Sequence, residues 1–399
     1  MIPLSFLNII LLLAAAQGVL LAVLLFHKYG QLYANRFLGA YMLFYSAILL
    51  NLIFEDLGYF QKYPFLLFIQ VGLPFLIGPL HFLYAKYLTH SSLKFKKNEW
   101  LHLLPGVVYE IVFLYFYFRS EAGVMPLSRS ELNKGLPLIY TLFNWAIAIQ
   151  GLIYMFLTLS LLKKYARDIK DVFSTTEQVQ LDWLRNITYI ITFVLCIFLI
   201  ENALLLGDVN LSDFFNFSSL LSALAIYVMG YLGLFKSEIF AKQEIAETIR
   251  QLPRMSAEAP MTHIAADENA VKRYEKSGLS VDRAKKYVDE LRQLMEDKKI
   301  YTDCDLTLNK LAAALSISPH NLSEVINTQL DQNFFDLINH YRLEEVKKNL
   351  ADPAKQHLTI LAIAFDAGFN SKTSFNTIFK KHEKMTPSEY RKKVLFENA

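Results

Sequence analysis

The sequence predicts an all-α chain in two parts, and three observations carry that prediction. Seven apolar windows, each long enough to cross a bilayer, lie within the first 235 of its 399 residues. After Phe235 the composition changes abruptly from apolar runs to charged, helical periodicity. Towards the C-terminus a short helix, a turn and a second helix are spelled out twice. Together these describe a seven-helix transmembrane bundle followed by an all-α domain with two helix-turn-helix units. The divisions fall at residues 1–235, a linker at 236–280, and 281–399.

The apolar windows cover residues 4–26, 37–54, 65–88, 101–118, 136–162, 187–206 and 214–235. A composition that is 54% hydrophobic and 14% aromatic exceeds what a water-solvated chain of this size carries. A backbone in hydrocarbon must satisfy its own donors and acceptors, so each window is expected to be a helix. The first lacks a basic stretch before it and a small-residue cleavage site after it, and reads as a retained helix rather than a signal peptide. Basic residues of the short loops fall mostly into one alternating set: Lys28, Arg36, Lys86, Lys94, Lys96, Lys97, Lys163, Lys164, Arg167, Lys170 and Arg185. The other set holds only Lys62, Arg119, Arg129 and Lys134. The positive-inside rule then puts the N-terminus outside the cell's inner, cytoplasmic membrane and, after seven spans, the C-terminal domain in the cytoplasm.

Polar residues inside such windows need partners, because a charge at the centre of a span costs about 2.5–3.5 kcal/mol on insertion. Glu110 lies midway along the fourth window. Asn51, Gln70, Asn144, Glu201 and Asn202 fall in the outer halves of theirs under this topology. Two readings stay open for this set: interhelical hydrogen bonding, or an outward-facing pocket for an unknown small-molecule signal. His81, after Gly78-Pro79 on a helix expected to kink, reads as a packed residue.

Net charge points to no class of partner. Residues 1–235 hold 15 basic and 13 acidic residues, and the remainder 25 and 24. Cys196 and Cys304 fall in different parts with no metal-ligand spacing, so reduced thiols are expected, with no disulfide and no metal. No P-loop, HExxH, nucleophile elbow or kinase-type histidine box is present, and neither an enzyme nor a cofactor is expected. In the linker, Ile239, Phe240, Ile245 and Ile249 recur at near-helical spacing, so the seventh helix should run on as a surface that pairs in a homodimer or lies on the membrane. Pro253, Pro260 and the polar stretch to Ser280 then read as a tether.

Beyond the linker, Ala284, Val288, Leu291 and Met295 form one helical stripe. The repeat matches Leu306, Leu308, Leu311 and Ala312 with Leu358, Ile360, Ile363 and Ala364, and Leu322 and Ile326 with Phe375 and Phe379. The two units span about 306–328 and 358–381, joined by a longer helix over 334–350. Ser318 before Pro319 and Ser371 before Lys372 read as helix caps, and Gly368 as a left-handed turn. Thr386-Pro387-Ser388-Glu389 reads as a capping box.

The runs LAAALSISPHNLSEVIN and IAFDAGFNSKTSFNTIFKKHEKMTPSEYR resemble the AraC/XylS family of transcription regulators over the last 110 or so residues. The resemblance implies two units that enter consecutive major grooves of double-stranded DNA. The matching recognition positions are His320, Ser323 and Glu324 in the first unit and Lys372, Thr373, Asn376 and Thr377 in the second. Lys380, Lys381 and Arg391, with Lys384, Lys392 and Lys393, suit phosphates. Glu324 and Asn327 stand where a basic residue would be unsurprising, so the first unit either reads sequence at a cost in affinity or contacts DNA weakly, with the second unit dominant. The apolar part does not match the sugar-binding β-barrel of many members and is similar to multi-span, membrane-bound ones. The expected partners are DNA, a lipid bilayer, a second copy of the chain, a signal ligand and RNA polymerase. The rival reading is a transporter-like or enzymatic membrane protein with a helical protein-binding module.

Overall fold

The computed structural model describes residues 5–27, 32–63, 72–90, 95–119, 138–205, 217–240 and 280–397. It is all-helical, and the one β-bridge among these residues pairs Phe173 with Thr307. The chain divides into two compact units, residues 1–164 with 181–246, and residues 165–180 with 247–399. Residues 165–180, read from sequence as a loop of the first part, therefore belong to the second.

The first unit contains α1 (Phe6–His27), α2 (Tyr33–Asp56), the single turn α3 (Tyr59–Lys62), α4 (Pro74–Thr89), α5 (Leu104–Arg119), α6 (Leu138–Asp168, its last turn in the second unit), α7 (Asp182–Leu205) and α8 (Phe217–Phe240). Among the described residues, four helices are long and apolar enough to cross a membrane: Phe6–His27, Tyr33–Asp56, Leu142–Asp171 and Asp182–Leu204. Residues 65–71 of the third expected window lie outside the described residues, and in its described part α4 carries Pro74, which lacks an N–H, in its first turn. A 3-10 segment, Lys97–Leu103, takes up the start of the fourth. Among the described residues, α4 and α5 have 16 residues each, fewer than a full span takes. α8 carries on past Phe235 as expected, but residues 241–279, most of the linker, lie outside the described residues.

These helices turn apolar side chains outward and several polar ones inward. Leu13, Val23, Ile111, Phe156, Phe193 and Leu224 are exposed, whereas Asn8, Asn35, Ser46, Asn51, His81 and Thr188 are buried. That inversion suits a hydrocarbon solvent, in which packing rests on small residues and interhelical hydrogen bonds. α1 and α2 approach so closely that a Cβ on Gly18 would collide with Ser46 Oγ. Their far ends are tied by Asn8 Nδ2 donating to Asp56 at 2.6 Å. Thr188 donates its hydroxyl to the Leu184 carbonyl at 2.7 Å, so His81 Nε2, 3.0 Å from that oxygen, must carry the proton they share. His81 is thus a packed residue joining α4 to α7.

The second unit contains α9 (Val281–Lys298), α10 (Leu308–Ala314), α11 (Pro319–Gln329), α12 (Phe334–Ala351), α13 (Ile360–Asp366), α14 (Lys372–Glu383) and α15 (Pro387–Glu397). The stripe Ala284, Val288, Leu291 and Met295 is buried as expected, with Ala284 and Val288 clustering on Val325. A second core gathers Val346, Leu350, Ile363, Phe369, Phe375 and Phe379. Its aromatic rings run from Phe369 through Phe375 and Phe379 to Tyr390, with centroids 5.2–5.6 Å apart. Tilted and edge-to-face contacts of this kind contribute about 0.5–1.5 kcal/mol beyond area burial.

The repeat extends to the backbone. Thr307 and Thr359 cap α10 and α13, accepting from the N–H three residues on. Each helix ends with the same paired bonds, Ile317 N–H to Ala312 and Ser316 N–H to Ala313 in one, Phe369 to Ala364 and Gly368 to Phe365 in the other. Ser318 and Ser371 then cap α11 and α14. Thr386 and Glu389 form the expected capping box, Thr386 N–H donating to Glu389 at 2.7 Å and Glu389 N–H to Thr386 Oγ1 at 3.3 Å. Those bonds hold the Glu389 carboxyl below its ordinary range, the donation from the Thr386 backbone foremost.

Candidate nucleic-acid interface

In the second unit, Phe375, Ile378 and Phe379 are buried, and that fixes which side of α14 faces out. Lys372, Thr373, Asn376, Thr377 and Lys380 are exposed at positions that recur every three to four residues and so share one face. The Thr377 hydroxyl donates back to the Thr373 carbonyl at 2.8 Å, which leaves its oxygen and methyl group outward. Asn376 offers both halves of an amide, the chemistry that pairs bidentately with adenine. Lys380 and Lys381 are exposed in the last turn, and Lys381 reaches Asp336 only at 3.8 Å.

Arg391, expected to meet a phosphate, is otherwise engaged. Its guanidinium donates to the carbonyls of Leu358 at 2.9 Å, Gln356 at 2.5 Å and Lys355 at 3.5 Å, ordering the turn that leads into α13. Lys384 likewise donates to the Lys381 carbonyl at 2.9 Å, while Lys392 and Lys393 are exposed.

The first unit is less open. Leu322, Val325 and Ile326 are buried as the repeat requires, but His320, Ser323 and Glu324 are half-buried. Asn327 donates to Ser323 Oγ at 3.3 Å and is itself exposed. The asymmetry anticipated from Glu324 thus has a steric counterpart, since α14 presents more exposed polar surface than α11.

The helix between the units, α12, carries a guanidinium in its interior. Arg342 is 1% exposed and donates to the carbonyls of Tyr301 and Asp303, each at 2.7 Å. Further bonds reach Ser174 O at 3.4 Å, Ser174 Oγ at 3.1 Å and Thr175 Oγ1 at 3.3 Å. Burial brings its pKa down to about 10, so it stays charged at neutral pH. Gly368 sits beside it at φ +98°, where a Cβ would come within 2.9 Å of Arg342 Nε and 2.5 Å of the Tyr301 carbonyl. Neither Arg342 nor its partners in residues 172–175 stood out in the sequence. The available signal was Val172-Phe173-Ser174-Thr175-Thr176, an aromatic and β-branched run inside an otherwise charged loop.

Of the polar residues marked in the apolar windows, those described have separate surroundings, apart from Asn144 and Asn202. Asn144 donates to Asn202 at 3.0 Å, and Asn202 donates to the Phe198 carbonyl at 2.7 Å. Glu110 accepts from the Gly72 N–H at 2.9 Å. Asn51 is buried in α2, Glu201 is half-buried in α7, and Gln70 lies outside the described residues. A cavity of about 60 Å³ among the described residues is lined by others, including Tyr41, Tyr45, Met155 and Ser222.

Residues 311–393 match a family model described as a helix-turn-helix domain. An uncharacterized HTH-type transcriptional regulator of Staphylococcus aureus (strain COL) is 30% identical over 103 residues, which are 26% of this chain and 13% of that protein. The similarity thus spans about an eighth of the relative's length. No solved structure matches. With two capped helix pairs in place and the family model falling on them, residues 311–393 are an AraC-type helix-turn-helix domain, carried on a chain whose N-terminal helices are long and apolar enough to span a membrane.

Proposed function

We propose that the protein is a membrane-anchored, sequence-specific DNA-binding transcriptional regulator whose apolar helices sense a signal. The observation that carries this reading is the outward face of α14. Its exposed Lys372, Thr373, Asn376 and Thr377 flank buried phenylalanines inside a helix-turn-helix domain. In this reading α14 supplies most of the base contacts, and His320, Ser323 and Glu324 of α11 read a second, weaker half. Lys380 and Lys381 neutralise phosphates, whereas Arg391 shapes the second unit.

The membrane reading is supported by the outward apolar surfaces and by the basic bias of the loops. It places the N-terminus outside and the reader in the cytoplasm. Glu110, Asn144 and Asn202 act mainly as ties between segments of the apolar unit, and a signal would act by shifting helix packing. A differential affinity of a few kcal/mol between two packings is enough to switch such a device. The linker would pair two copies of the chain on the inner membrane surface, within reach of DNA and RNA polymerase.

The test is DNA binding by the full chain in lipid nanodiscs. Binding to selected genomic fragments should weaken steeply with salt, with a log–log slope of about −0.9 per phosphate neutralised. Binding that ignores salt, or that plain competitor DNA removes entirely, rejects the reading.

A further inference from the structure

We propose that the connector between α6 and α7, residues 169–180, is a latch: while docked on the helix-turn-helix domain it opposes DNA binding, and its release strengthens it. The proposal rests on the DNA-binding reading above. It names the route by which the apolar helices, continuous in sequence with both ends of the connector, reach the reader.

The connector is built into the second unit. Phe173 pairs antiparallel with Thr307, Ser174 N–H donates to Leu306 O at 3.3 Å, and Leu308 N–H donates to Val172 O at 2.9 Å. Ser174 Oγ donates to the same Leu306 carbonyl at 2.7 Å, and Thr175 Oγ1 donates to Cys304 O at 3.0 Å. Asn339 on α12 donates to Ser174 O at 3.0 Å beside the Arg342 guanidinium. Val172, Phe173 and Ser174 are all buried, and the Lys170 ammonium lies over the Phe335 ring. The base of the loop is closed by the Tyr165 hydroxyl donating to the Val179 carbonyl at 3.0 Å. The two ends of the connector are therefore held together, and a shift of either adjoining helix moves the loop as one piece.

The far side of the connector reaches the recognition helix. Ser371, the cap of α14, accepts from Ser374 N–H at 3.1 Å and donates its hydroxyl to Glu177 Oε1 at 3.2 Å. In a helix-turn-helix reader the N-terminal residues of the second helix approach the base edges. The positive end of a helix also favours a phosphate. A fixed carboxylate at that end repels the DNA backbone where Lys372 and Thr373 have to meet it. The other carboxylate oxygen, Oε2, is buried without a partner, so this end of the docked connector is incompletely satisfied. The 172–175 segment is the anchor and Glu177 the catch.

The experiment uses the full chain in lipid nanodiscs with a genomic fragment that the chain itself has selected. Phe173 and Thr307 form a non-hydrogen-bonded antiparallel pair, the geometry in which a disulfide closes most readily. In a Cys196→Ser, Cys304→Ser background, Phe173→Cys with Thr307→Cys therefore locks the latch on oxidation. The oxidised form should bind DNA about tenfold more weakly than the same protein reduced. Glu177→Gln, which keeps shape and removes charge, should tighten binding about threefold with thermal unfolding unchanged. Equal affinities for the oxidised and reduced forms, or an unchanged affinity for Glu177→Gln, overturns the proposal. A reduced chain that selects DNA but ignores the lock sinks the latch alone, whereas one that selects no DNA sinks the DNA-binding reading and the latch with it.

Discussion

Ser316 and Gly368 occupy the same place in the two repeats, the left-handed residue that ends the first helix, with φ +57° and +98°. An L side chain held there costs about 1–2 kcal/mol, which a glycine avoids at some entropic expense. Ser316→Gly should therefore raise the stability of the DNA-binding unit by about 0.5–1 kcal/mol. Gly368→Ala should lower it by about 2 kcal/mol or more, since the added carbon also meets Tyr301 O and Arg342 Nε. Thermal inactivation of DNA binding reads both, and shifts of the same sign would show that the repeats do not share this turn. Glu345 supplies a pH dependence. Burial pushes its carboxyl up, but the Lys299 ammonium, 2.9 Å from both oxygens, and the Tyr301 hydroxyl outweigh it and leave the pKa below its ordinary 4.5. The stability it contributes is complete above pH 4.5 and is lost as pH falls through the depressed value. Glu345→Gln should make acid unfolding of this unit less steep below pH 4.5 while lowering stability at pH 7, as acid titration of the chain would show.

The second recognition helix separates affinity from specificity along its length. Asn376→Ala should cost about 1–3 kcal/mol and relax preference at one base pair, because a bidentate amide contact is lost. Lys380→Ala should weaken all sequences alike and reduce the salt slope by about one phosphate. Competition binding against single-base variants distinguishes the two, and a uniform loss from Asn376→Ala would remove it from the base-reading set. These helices were legible in the sequence because each carries its own start signal. Ser318-Pro319, Ser371 and Thr386 through Glu389 all do in the structure what their spacing implies. α4 was less legible, since hydropathy marks a window but not where Pro74 starts the helix. Arg391 illustrates a different limit. A basic residue near a recognition helix reads as a phosphate contact until the carbonyls at 355–358 are seen to occupy it.

The division into an apolar and a polar half could be read from composition, and the helix-turn-helix repeat from periodicity. The assignment of residues 165–180 to the polar unit could not. It depends on tertiary bonds from Arg342 and Asn339 to Ser174, more than 160 residues earlier, which leave no local pattern. The reader is thus joined to the apolar helices by two lengths of chain, the linker after α8 and the inserted connector. A regulator built this way is expected to respond to changes in helix packing rather than to float on a free tether. The most direct measurement is recovery of genomic DNA bound to the full chain in its membrane. The account predicts a small set of fragments sharing a bipartite site, with half-sites about one helical turn, 10–10.5 base pairs, apart. Membranes that enrich no sequence over bulk DNA, at salt low enough to retain non-specific binding, would contradict it.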